Sequence, residues 1–256
     1  MMNLIKMECY KLRTSKLFMI LLAVAFAANL LFSLGAQMLP KLFVPNMPVE
    51  ATPLSSVLAQ PFGLSLLMII VFVSAVSFMS LDYSGGFIKN IAGQVGDRGK
   101  IVIAKFIAVG IHNLIFFIVG VISSLLGTLI AGQITADAAV MSGILTLLLK
   151  WFLSMALCSI LLFFAVGIRN KTLATIIGVV LSLNALSLAY LGVNTLVANV
   201  FKINDFDFGS FMPDALMNSV SVVNNELVVN AIVVGAAFIA VFVILTYITF
   251  KKRDVK

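Results

Sequence analysis

The chain has 256 residues, 62% hydrophobic and only 11% charged, with a net charge of +7 and a mean hydropathy of +1.16. Soluble domains average about 45–50% apolar and about 25% charged residues, so the composition excludes a water-soluble enzyme and points to a bilayer. The basic residues are scattered beside apolar runs rather than gathered on one segment, which argues against a nucleic-acid partner.

A membrane-crossing helix needs about 20 apolar residues to traverse roughly 30 Å of hydrocarbon. Six runs qualify, at about 17–39, 61–81, 103–131, 141–168, 172–194 and 227–250. The expected fold is therefore an all-α membrane protein with six transmembrane helices in a single domain covering 1–256. Placing the N-terminus in the cytoplasm puts 14 of the 17 Lys and Arg residues on inner segments, as the positive-inside rule requires. Both termini are then cytoplasmic. The first apolar run, Leu17 to Gly35, exceeds the apolar core of about 7–15 residues in a cleaved signal, and is read as a retained span. Cys9 and Cys158 lie in different environments and are read as reduced thiols.

Residues 1–16, MMNLIKMECYKLRTSK, contain no Gly or Pro. Leu4, Ile5 and Leu12 share one helical side with Lys6 and Arg13 opposite, the pattern of a helix lying in the headgroup plane and touching membrane lipid. Glu8 falls on the apolar side, where Lys11 at i+3 can pair with it. The alternative is a basic flank that only fixes topology. The first outer loop carries five of the six prolines and should be irregular.

The loop over 82–100 contains AGQVGDRGKI. It resembles a phosphate-binding loop at Gly99-Lys100, but Gln94 replaces the required first glycine and Ile101 the Ser or Thr after lysine, so no nucleotide site is expected. Ser84 can cap a short helix, Phe87, Ile88, Ile91 and Val95 recur at helical spacing, and Gly93 can end it. One apolar face on so small a helix suits insertion into a groove of another protein, with Lys89, Arg98 and Lys100 orienting it. A plain polar turn is the alternative.

In the third run His112 stands alone beside Asn113, and a hydrogen bond to a neighbouring helix is expected rather than a metal site. In the fourth, Lys150-Trp151 is either a buried cation facing a path or an anchor at the outer surface; the pairing of Lys with Trp favours the anchor. The last outer loop, 195–226, sets Lys202 against Asp205, Asp207, Asp214 and Glu226, interleaved with Phe206, Phe208 and Phe211. It is read as outer interfacial or re-entrant helices, or as a small folded loop.

These features resemble the permease subunit of a type-2 ABC exporter, of the kind found in Gram-positive antimicrobial-peptide immunity and drug export. The resemblance rests on the E-x-x-K-L-R of Glu8, Lys11, Leu12 and Arg13, and on Asp82, Gly86, Lys89, Arg98, Lys100 and Lys105 around the second loop. At QVGDRGK the chain departs from relatives, which often carry a proline and a serine before the arginine. The resemblance implies an interfacial helix bearing Glu8, Lys11 and Arg13. It also implies a coupling helix around Gly85 to Ala92 docked on a separate ABC ATPase that binds the ATP, no cofactor of the chain's own, and a second permease, identical or related. It further implies a bacterial plasma membrane and outward movement of an amphiphilic peptide, drug or lipid-like molecule, with Phe206, Phe208 and Phe211 at the outer leaflet. An ion-coupled carrier would need acids or histidine relays at membrane depth, and an embedded enzyme would need clustered catalytic groups. A membrane scaffold that does no transport is the remaining alternative.

Overall fold

In hydrocarbon a backbone without water must bond to itself, so long apolar runs become helices. A computed structural model describes residues 1–43, 51–59, 65–84, 97–132, 134–202, 206–220 and 225–252. Among the described residues the α-helices in order are α1 (Met2–Thr14), α2 (Lys16–Phe43), α3 (Leu54–Ala59), α4 (Ser65–Ser84) and α5 (Gly99–Ala131). They continue with α6 (Val140–Leu162), α7 (Lys171–Ser182), α8 (Ser187–Phe201), α9 (Pro213–Ser219) and α10 (Asn225–Lys252). A π-helical turn at Phe163–Gly167 prolongs α6, and a 3-10 turn at Phe208–Phe211 leads into α9.

The architecture is that of an all-α membrane protein. Among the described residues four helices are long and apolar enough to cross: Lys16–Leu39, Gly99–Ala131, Val140–Gly167 and Glu226–Lys252. The apolar stretch of α4, Leu66–Asp82, is shorter; at 1.5 Å per residue it extends about 25 Å, slightly less than the hydrocarbon thickness of about 30 Å. The run expected to cross as one helix over 172–194 is broken. Helices α7 and α8 meet at a bend of 68°, and Asn184 in the break takes a positive φ of 52°. Asn enters the left-handed region more readily than most residues, and with no Pro or Gly there the bend leaves no strong mark on the sequence.

Helices α5 and α6 form the interior, and α2 and α10 present more of their apolar surface outward. Small residues set the closest approaches, as is usual between membrane helices. A side chain added at Gly127 of α5 would collide with Ser33 and the Leu30 carbonyl of α2. Between α5 and α6, β2 (Ile134–Thr135) pairs in parallel with β1 (Thr52–Pro53), which leads into α3. The Asp137 carboxylate accepts hydrogen bonds from both the amide and the hydroxyl of Ser55. The Ser55 hydroxyl holds this carboxyl below the usual aspartate range.

Those contacts lay α3 across α6. Lys150 is only 5% exposed, and its ammonium donates to the Ala59 carbonyl at 3.3 Å. Helix α3 covers it, where the sequence favoured an anchor snorkelling freely to the surface. The close seat of Gly143 on the Ser55 backbone makes the cover possible. Replacing Gly143 with Leu is expected to lift α3 and raise amine-reagent labelling of Lys150 severalfold in intact membranes. Unaltered labelling would mean that α3 is not what shields it.

Candidate functional site

Four ionised side chains meet where α1, α4 and α5 converge. On α1, Glu8 and Lys11 stand three residues apart and so share one face. Glu8 Oε1 accepts from Lys11 Nζ at 2.9 Å, and Glu8 Oε2 from Lys105 Nζ at 3.2 Å. Asp82 divides its oxygens in the same way, Oδ1 to Lys11 and Oδ2 to Lys105, each at 2.7 Å. The result is a closed ring of alternating charge, with each carboxylate bridging both ammonium groups.

Burial makes this ring more than a surface pairing. The side chains of Glu8, Asp82 and Lys105 are 1%, 3% and 1% exposed, whereas Lys11 remains 24% exposed. Two positive and two negative charges cancel, which is the condition for keeping ions out of water. Asp82 lies in the last turn of α4, the end of a helix that disfavours an anion. Its two lysine partners, not the helix dipole, therefore stabilise it there. The Phe78 ring adds a cation–π contact to Lys105, 5.3 Å from its centroid. Burial works against a charged Lys11, but hydrogen bonds from its ammonium to Asp82 and Glu8 outweigh that and hold its pKa above the ordinary lysine value. The group gives stability below the ordinary lysine pKa and loses it only as pH rises through the higher folded value. It stays protonated at physiological pH.

Position gives the ring its interest. Asp82 is two residues before the end of α4 and Lys105 is on the second turn of α5, so together they flank the segment 85–96 and tie both flanks to α1. Of the residues assigned to the loop, Phe87, Ile88, Lys89 and Ile91 lie outside the described residues. Arg98 is in the turn before α5 and Lys100 is exposed on its first helical turn. Neither is a member of the ring. Arg13 is exposed near the end of α1, away from the buried face that carries Glu8 and Leu12.

Phe206, Phe208 and Phe211 belong to a separate cluster at the other end of the bundle. Phe206 stacks on Phe211 with centroids 6.2 Å apart, and Phe208 packs against Tyr190 at 5.6 Å. A polar seam runs deeper along α5. His112 Nε2 bonds to Ser74 Oγ of α4 at 2.8 Å. Asn113 Nδ2 reaches Ser154 Oγ and Cys158 Sγ of α6, both at 3.3 Å. Asn29 of α2 donates to the Gly120 carbonyl at 2.7 Å. Among the described residues, no group of three or more His, Cys, Asp and Glu is placed to hold a metal ion.

Sequence reasoning had Asp82 and Lys105 only as parts of a motif and gave Asn29 no role. The available signal was a single acid closing one apolar run and a single lysine inside the start of the next. Converting Lys105 to Met leaves two buried carboxylates with one partly exposed lysine. It is expected to cost about 3–5 kcal/mol, read as a lowered Tm in nanodiscs, and to raise the reactivity of the Cys9 thiol as α1 detaches. Adding Asp82→Asn should restore part of that loss. A Tm unchanged by Lys105→Met would show that the ring is not a stabilising unit.

The chain matches the family model described as ABC-2 family transporter protein over residues 4–187, a region that contains all four ring residues. A search of curated proteins found no match. That match covers well over half of an all-α membrane bundle, and the chain belongs to the ABC-2 transporter family, whose membrane subunits work with an ABC ATPase.

Proposed function

We propose that the chain is the membrane subunit of an exporter, and that the segment around 85–92 docks on the separate ATPase that supplies the energy. The observation that carries this reading is the charge ring. Any displacement of that segment pulls on Asp82 on one side and on α5 on the other, and the ring passes it to α1. A buried, mutually satisfied set of ions has few alternative pairings, so it transmits movement rather than absorbing it.

In this arrangement α2, α4, α5, α6, the bent α7–α8 pair and α10 are six spans, with both termini in the cytoplasm of a bacterial cell. The exposed Lys6 and Arg13 of α1 face lipid phosphate. Two permeases, identical or related, enclose the path of an amphiphilic peptide, drug or lipid-like molecule. A cavity of about 330 Å³ near the proposed outer face supports an amphiphilic cargo, since Tyr190, Asn194, Asp207 and Ser210 stand in it beside Leu216 and Leu227.

The test is biochemical. Phe87→Asp or Ile91→Asp is expected to reduce the ATPase that purifies with the tagged chain by at least about tenfold, the effect of losing one buried apolar anchor at an interface, while the chain itself remains inserted. An undiminished complex in both variants, or ATP hydrolysis by the purified chain alone, would end this reading.

A further inference from the structure

Asp82 guards the entry to segment 85–96, and a second carboxylate guards its exit. Asp97 is the first described residue after that segment. Its Oδ1 accepts from the Gly99 amide at 3.1 Å, holding the first turn of α5, and its Oδ2 accepts from the Tyr247 hydroxyl of α10 at 2.8 Å. The contact joins residues 150 positions apart in the chain. The Tyr247 ring lies directly on Gly99, where any added side chain would overlap it. Lys251, one turn further along α10, places its ammonium 5.9 Å from the centroid of the same ring.

One carboxylate thus has its two oxygens on two different spans, at the point where the loop becomes α5. Of the four long spans α10 is the least buried within the chain, so a contact at its inner end has the leverage to move it. We infer that Asp97 and Tyr247 are positioning residues that carry movement of segment 85–96 to α10, alongside the ring that carries it to α1. The inference rests on the proposed docking of an ATPase on that segment. The bond can be removed in two ways: Tyr247→Phe keeps the ring on Gly99 and leaves Asp97 its bond to the Gly99 amide, and Asp97→Ala takes away the acceptor itself.

The experiment uses the full chain bound to the ATPase with which it purifies, in nanodiscs, with Cys9 and Cys158 changed to Ser. Spin labels at Leu148 of α6 and Ile244 of α10 report on α10, and labels at Leu148 and Tyr10 report on α1; all three positions are exposed. Distances are measured with and without ATP and vanadate. Tyr247→Phe and Asp97→Ala are each expected to cut the ATP-shifted population of the α10 pair about fivefold, the lower range of measured coupling between sites. The α1 pair should still shift and the ATPase stay bound. The double variant should be no worse than either single one, because both remove the same bond. If α10 shifts fully in both variants, or if the α1 shift and ATPase binding fall equally, this assignment is overturned while the proposed function stands. If the parent chain binds no ATPase, both fall.

Discussion

Desolvation is the constraint on which the junction of α1, α4 and α5 depends. Glu8, Asp82 and Lys105 are almost wholly removed from water, and an ion so placed is tolerable only when opposite charge and hydrogen bonds replace its hydration. The ring meets that demand with four contacts among four groups. No member can leave without stranding another, so α1, α4 and α5 keep one mutual geometry. A short helix such as α1 is marginal on its own in water, and its fixed seat comes from this ionic lock and from Leu12 beside it.

Further into the bilayer the same logic applies with neutral groups. Lipid gives apolar side chains no reason to prefer protein over hydrocarbon, so close packing and hydrogen bonds between helices decide which helices touch. His112 fastens α5 to α4, Asn113 fastens it to α6, and Asn29 fastens α2 to α5. Helix α5 is therefore the member to which the others are tied, and it begins just after segment 85–96. At the opposite end of α5 Asp137 and Gly143 hold α3 over Lys150, so the two ends of the bundle are closed by different means.

Segment 85–96 connects two anchored points. Asp82 at its entry engages α1 and α5, and Asp97 at its exit engages α5 and α10. In a subunit of the ABC-2 family, whose energy comes from another chain, such a bracket gives any displacement of the loop two routes out. One leads to α1 and the other to α10.

The sequence by itself determined the all-α membrane class and the long apolar helices, because membrane-crossing segments are specified by composition over some twenty residues. It also placed Glu8 and Lys11 on one helical face, since that spacing is local. Tertiary structure alone decided that Asp82 and Lys105 complete their pairing, that Asp97 meets Tyr247, that α3 covers Lys150, and that the fifth apolar run bends by 68° at Asn184. Each of these depends on which helices become neighbours. That choice is made by a few small residues and buried polar groups whose partners lie anywhere from 23 to 150 positions away, a separation that no local pattern encodes.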